Sequence, residues 1–184
     1  MRTVPLNDNE REQAILLKVV GEGSSEVTYV EEIRRFVEGR TFKPYDAKGG
    51  DIPNVRKETK RRIGKGPGVV IMDTDRNENE DLREFKRWCD SRGIILLISN
   101  PSFEVWLLMH FRDVTSNMSK EDLKHALTDC LGRKYEKKKG IRPKRMMLVD
   151  AVRRAKLKIP KGEDVFDYVL MNPGTTMVHL LFEE

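Results

Sequence analysis

The stretch Val69-Val70-Ile71-Met72-Asp73-Thr74-Asp75 decides how this chain is read. Four apolar residues in a row, three of them β-branched, follow a glycine-rich turn and end in an acidic, polar loop. A short run of that kind describes a strand buried on both faces, as in the parallel sheets of α/β proteins. Two other runs have the same form. Ile15-Leu16-Leu17-Lys18-Val19-Val20 stops at Gly21-Glu22-Gly23, and Ile94-Ile95-Leu96-Leu97-Ile98 stops at Ser99-Asn100-Pro101 with Glu104 just beyond. Each run therefore delivers a carboxylate to its end. In open α/β sheets, ligands bind outside the carboxyl ends of the strands. Carboxylates gathered there can hold a hard divalent cation such as magnesium.

The segments between these runs supply the helices. A strand is expected over 14–20, then a helix to about residue 37 with Ser25 as its N-cap, closed by Gly39. A weaker strand over 41–45 contains Pro44. Pro53 opens a basic helix to about residue 63. Residues 80–92 carry Leu82, Phe85, Trp88 and Cys89 near one helical face. Asn100 is expected to cap, and Pro101 to open, a helix to about residue 111 that is apolar on nearly every side. Two more helices are expected over 120–131 and 144–158, joined by a basic, mobile connection. Asn172-Pro173-Gly174 leads into a short terminal element over 175–182. Strands alternating with helices specify an α/β fold with a mostly parallel sheet flanked by helices. Length fits one domain over 1–184, with a flexible arm at 1–13 and a helical, basic extension at about 112–184.

Hydrophobic residues make up 38% and charged residues 35% of the 184, a globular composition and not a disordered one. No apolar stretch approaches a membrane span, and residues 1–13 lack the apolar core of a signal peptide. The expectation is a cytoplasmic protein with no membrane partner. Cys89 and Cys130 are far apart and belong to no zinc-binding spacing, so both are expected as free thiols. The net charge is +5, and its distribution is uneven. Arg133, Lys134, Lys137, Lys138, Lys139, Arg142, Lys144 and Arg145 crowd one segment that only Glu136 opposes. Such a run is either a solvated face or a phosphate-binding patch. On the second reading Lys137, Lys138, Lys139, Arg142, Lys144 and Arg145 contact nucleic acid, and Tyr135 could stack on a base.

Familiar nucleotide motifs fail. Gly21-Glu22-Gly23-Ser24-Ser25-Glu26 starts like a dinucleotide fingerprint but has Glu26 at the third glycine position. No Walker-type loop exists. Glu22, between two glycines, is either a solvated loop residue or an acid that approaches a ligand closely. Asp73 and Asp75 point the same way in extended geometry, and like carboxylates so close repel unless a cation or proton intervenes. The alternative is a turn aspartate bonded to its own backbone. Haloacid dehalogenase-type phosphotransferases also carry Asp-x-Asp after a strand, but with Thr or Val where this chain has Asn77. Glu104 either complements a helix dipole or joins the rim that Asp73 occupies. His110 and His125 read as structural or solvated, and His179 is ambiguous.

Taken together, Glu22-Gly-Ser-Ser-Glu26 with Tyr29, Asp73-Thr-Asp75, Ser99-Asn-Pro-Ser-Phe-Glu104-Val-Trp-Leu-Leu-Met-His110 and Asn172-Pro-Gly-Thr-Thr-Met-Val-His179 resemble the RloB-like family, in the same order. The glutamate and Asp-x-Asp signals also look like the Toprim signature of topoisomerases, primases and OLD nucleases. The resemblance covers the chain from about Leu16 onward, and its Asn-Pro-x-Phe-Glu-x-Trp-Leu-Leu block is the most specific part. It implies a Toprim-like fold and a magnesium-dependent nuclease (manganese as substitute) acting on DNA or RNA in phage defence. By the same resemblance Glu22 and Glu104 are catalytic, and Asp73, Asp75 and Glu22 bind metal. Glu26, Asn100 and His179 are accessory. A partner protein from a defence locus and an oligomeric state are further expectations, as is the contrasting case of an inactive binding module with a vestigial site.

Overall fold

The computed structural model describes residues 15–182, so the expected arm at 1–13 lies outside the described residues. Five strands form one sheet: β1 (Ile15–Gly21), β2 (Arg40–Asp46), β3 (Gly68–Asp73), β4 (Ile94–Asn100) and β5 (Thr175–Thr176). The spatial order is β2-β1-β3-β4-β5. The first four strands are mutually parallel, and β5 runs antiparallel to β4 with Ser99 opposite Thr176. Every residue of β3 is buried, as its unbroken apolar run requires of a central strand. Pro44 is accommodated because β2 is an edge strand, where its missing N–H breaks no ladder on the outer side.

The helices are α1 (Ser24–Ile33), α2 (Ile52–Arg62), α3 (Asn79–Asp90), α4 (Glu104–Met109), α5 (Lys120–Leu131), α6 (Arg145–Lys158) and α7 (Val165–Met171). The chain passes from β1 outward to β2, then back across β1 to β3 and on to β4. Right-handed crossovers therefore put α1 on one face of the sheet and α2 and α3 on the other. The reversal leaves a crevice between the carboxyl ends of β1 and β3, the position at which doubly wound sheets bind ligands. Backbone bonds knit these ends together: Glu22 N–H donates to Ile71 O at 3.0 Å, and Thr74 N–H donates to Ser99 O at 3.1 Å.

The apolar helix α4 is buried from Glu104 to Met109. Tyr29 of α1 packs edge-on against Phe103, Trp106 and His110, and Trp106 stacks on Phe182. His110 Nε2 lies 3.0 Å from the Tyr29 hydroxyl and its Nδ1 lies 3.0 Å from Trp106 O. Burial pushes the imidazole down to about 4, so it is a neutral structural bridge at physiological pH.

Four expectations need correction. Ser25 does not cap α1, which begins at Ser24 with Gly23 as N-cap. A Cβ on Gly21 would stand 2.6 Å from the Glu26 Cβ, so the helix starts almost on top of the strand end and only glycine fits beneath it. Asn100 does not cap α4. It is the last residue of β4, and its amide donates to Val169 O and Leu170 O at the end of α7, at 3.0 and 2.9 Å. The basic connection between α5 and α6 is folded against the protein, with Tyr135 and Ile141 buried and a 3-10 turn at Lys137–Lys139. Finally, α7 and β5 were not anticipated as separate elements. Asp164 caps α7 through Asp167 N–H, and Gly174, at φ +79°, turns the chain into β5.

Candidate functional site

Glu22 leaves β1 between two glycines, and its Oε2 accepts a hydrogen bond of 2.9 Å from Asp73 N–H at the end of β3. Two strand ends distant in sequence are thus joined by the carboxylate itself. Asp73 Oδ1 in turn accepts from Phe103 N–H at 2.7 Å, which brings in the segment after β4. Glu26, one turn into α1, folds back so that its Oε2 accepts from Gly23 N–H at 2.9 Å. Glu104 opens α4 and is 1% exposed. Its Oε1 accepts from the Tyr135 hydroxyl at 3.3 Å, and the same hydroxyl lies 2.9 Å from Ser25 Oγ. The segment that carries Tyr135 therefore straps the start of α1 to the start of α4.

Four of these acids, Glu22, Glu26, Asp73 and Glu104, are buried and close enough to repel one another. Burial is the main reason that the Asp73 carboxyl is pushed well above the usual range, with repulsion from Glu26, Glu22 and Glu104 adding to it. Burial likewise raises Glu22, against the pull of its bond from Asp73 N–H. Glu26 is pushed up to about 8, first by burial and then by Glu22. Carboxyls pushed up by burial and by one another in a cleft make this a candidate functional site.

The cleft, about 270 Å³, is lined by Glu22, Glu26 and Asp73 and also by Lys48, Arg76, Lys120 and Lys137. Its floor is glycine. A Cβ on Gly50 would collide with Glu22 Oε1 and lie 3.1 Å from Arg76 Nη1. Gly50→Ala is therefore expected to push the end of the Glu22 side chain off Asp73 N–H and to destabilise the protein by about 1 kcal/mol, the cost of that one hydrogen bond. A urea titration of the two proteins checks this, and an unshifted midpoint would refute the close approach.

Lys120, the first residue of α5, reaches Asp75 Oδ2 at 2.6 Å and Asp73 Oδ2 at 3.5 Å. Lys137 Nζ stands 3.7 Å from Glu104 Oε1. The other cations of the basic run point elsewhere. Lys139 pairs with Glu136 and Arg145 with Glu38, while the Arg142 N–H donates to Glu32. Lys138 and Lys144 are exposed. His179 is buried beyond β5 with Nδ1 3.1 Å from Thr176 O, and it does not line the cleft. Among the described residues, then, Glu22, Glu26, Asp73, Asp75 and Glu104 gather at one rim, whereas Asn100 and His179 brace the fold around it.

Sequence reasoning missed Lys120, Lys48, Arg76, Gly50 and Ser102. Ser102 Oγ is fully buried, has no hydrogen-bond partner among the described residues, and sits one residue before Phe103, whose N–H holds Asp73. A hidden hydroxyl of that kind suits a ligand oxygen or a cation. Every candidate donor here is a carboxylate or hydroxyl oxygen, which is the chemistry that magnesium or manganese prefers. The cage is not ready-made: among the described residues no group of three or more His, Cys, Asp or Glu side chains stands at metal-ligand spacing. The ammonium of Lys120 is what lies between Asp73 and Asp75.

Fold and site together define an α/β protein with an acidic, lysine-ringed cleft at the switch point of its sheet. The family model described as RloB-like protein matches residues 17–184, and the chain belongs to that family. No curated protein and no solved structure matches the chain. No helix among the described residues is long and apolar enough to cross a membrane.

Proposed function

We propose that this RloB-like protein hydrolyses phosphodiester bonds of DNA or RNA with the help of magnesium, in a Toprim-like site. One observation carries the reading: the direct bond from Asp73 N–H to Glu22 at the switch point, inside a cleft ringed by Lys48, Arg76, Lys120 and Lys137. Acids alone suit a cation, and cations alone suit a phosphate; this cleft sets the two side by side. Asp73 and Asp75, with Glu22, are the residues that would hold magnesium, and manganese would serve in its place. The bound ion would supply an activated water and neutralise the phosphate.

The remaining work falls to the chain. Lys48, Arg76 and Lys137 bind phosphate oxygens at the cleft mouth. Glu104, held by Tyr135, takes or returns a proton, and Glu22 is placed to do the same for the opposite oxygen. Glu26 positions Gly23 and hence the turn that carries Glu22. Outside the cleft, Arg56 and Arg92 lie over the Trp88 ring at 4.8 and 4.7 Å, and Arg56, Lys57, Lys60 and Arg61 line a basic groove along α2. Together with Lys138 and Lys144, that groove supplies sequence-independent backbone contacts that weaken as salt rises. A cytoplasmic role in phage defence, a partner protein and an oligomeric assembly belong to the same proposal.

A second reading, a binding module with a vestigial site, draws support from Lys120 standing where a cation would go. Labelled DNA and RNA incubated in magnesium with wild type and Asp73→Ala separates the two. Cutting by wild type alone is the expected result. Binding that survives Asp73→Ala with no cutting by either protein selects the second reading.

A further inference from the structure

We propose that Lys120 is a resident counter-cation: its ammonium occupies the place between Asp73 and Asp75 that a divalent ion takes, and it must leave for that ion to bind. In this role Lys120 presupposes the metal-dependent reading above.

The position of Lys120 is unfavourable unless the acids account for it. It stands at the first position of α5, where the helix dipole disfavours a cation. That helix start is independently fixed, because Ser119 Oγ accepts from Asp122 N–H and Asp122 accepts from Ser119 N–H. The lysine is thus carried to the site by a well-capped helix and held there by carboxylates on another element. It touches Asp73 through Oδ2, while Oδ1 is committed to Phe103 N–H. The oxygen available to an ion is therefore the oxygen that Lys120 now engages. At 2.6 Å from Asp75 Oδ2, the ammonium leaves no room for an ion that needs the same oxygen at about 2.0–2.1 Å. The four-carbon stem is flexible, and with 22% of its surface open the side chain has a way for the head group to swing out. In the metal-free protein Lys120 offsets part of the repulsion among the buried acids.

The test is manganese binding to the full chain without nucleic acid, followed by isothermal titration calorimetry and by the electron paramagnetic resonance signal of free Mn²⁺. Lys120→Met is expected to bind Mn²⁺ about tenfold more tightly than wild type. In chelator the same variant is expected to unfold at a lower temperature than wild type, and Mn²⁺ is expected to raise that temperature by more. Lys137→Met removes a charge from the same cleft without vacating the position between the aspartates. It is expected to change affinity by less than about threefold. Lys120→Arg keeps the charge and should bind as weakly as wild type, which gives a reading even if Lys120→Met folds poorly. Equal affinity in wild type and Lys120→Met overturns the displacement and leaves the metal reading standing. Equal tightening in Lys120→Met and Lys137→Met also overturns it, since a general field effect then suffices. Absence of Mn²⁺ binding in all four proteins removes this inference and the metal reading together.

Discussion

Asp73→Asn is expected to stop cleavage and, at pH 8, to make the metal-free protein more stable. The activity loss follows from removing a carboxylate proposed as an ion ligand, on the residue whose N–H binds Glu22 and whose Oδ1 binds Phe103 N–H. Loss of an ion ligand costs several kcal/mol of transition-state stabilisation, hence about a thousandfold or more in rate. The stability gain follows from the neighbours. Asp73 is buried, and Glu26, Glu22 and Glu104 all disfavour its charge. Asparagine keeps an Oδ1 acceptor for Phe103 N–H but carries no charge to desolvate. It forfeits the 3.5 Å contact with Lys120, which retains Asp75 at 2.6 Å. A rise of a few degrees in the unfolding temperature corresponds to about 1 kcal/mol in a chain of this length. Thermal melts beside a gel cleavage assay check both halves. A variant that loses stability along with activity would show Asp73 to be part of the scaffold instead.

Stability in chelator is expected to fall as pH rises from about 5 to about 8, and Glu26→Gln is expected to make the fall shallower. The Glu26 carboxyl is pushed up to about 8 in the folded protein, mainly by burial, against an ordinary value of 4.5. Between those values the native state holds a proton that the unfolded chain has released. Stability therefore decreases with pH across that window and levels off above it. The stabilisation is fully present below the unfolded value and is lost as pH passes the folded one. For a group so deeply buried the span is on the order of a few kcal/mol. Glutamine retains an oxygen that can accept from Gly23 N–H, so the turn survives the substitution. Urea midpoints at half-unit pH steps measure the slope. A slope that is unchanged in Glu26→Gln would assign the effect to Glu22 and Asp73 instead.

The parallel sheet was legible because β1, β3 and β4 are each written as an apolar run with a glycine or acid at its end. The gathering of Glu22, Asp73 and Glu104 was legible for the same reason, since strand direction alone sends all three to one rim. What stayed hidden depends on contacts distant in sequence. Lys120 opens a helix that looks ordinary until it is docked against Asp75. Ser25 looks like a cap because serine is a better cap than glycine, yet the close approach at Gly21 starts the helix earlier. Asn100-Pro101 looks like a helix opening because that pair often is one; here the amide is committed to two α7 carbonyls that no local pattern could announce. The basic run read as a mobile connection because its charges dominate its composition. Tyr135 and Ile141, two residues among many lysines and arginines, are enough to pin it down.

The two-residue strand β5 also bears on colloidal behaviour. Without it, β4 would end the sheet with a row of open N–H and C=O groups on strongly apolar sequence, a template for pairing with another molecule. Thr175 and Thr176 cover its last two residues, Met177 N–H donates to Ile98 O, and Gly174 N–H donates to Asn100 O. The opposite edge, β2, is blunted by Pro44 and Lys43. A cut on the amino side of Thr175 would therefore do more than loosen a terminal segment: it would uncover a sticky edge beside the cleft and favour aggregation over a soluble, merely weakened protein.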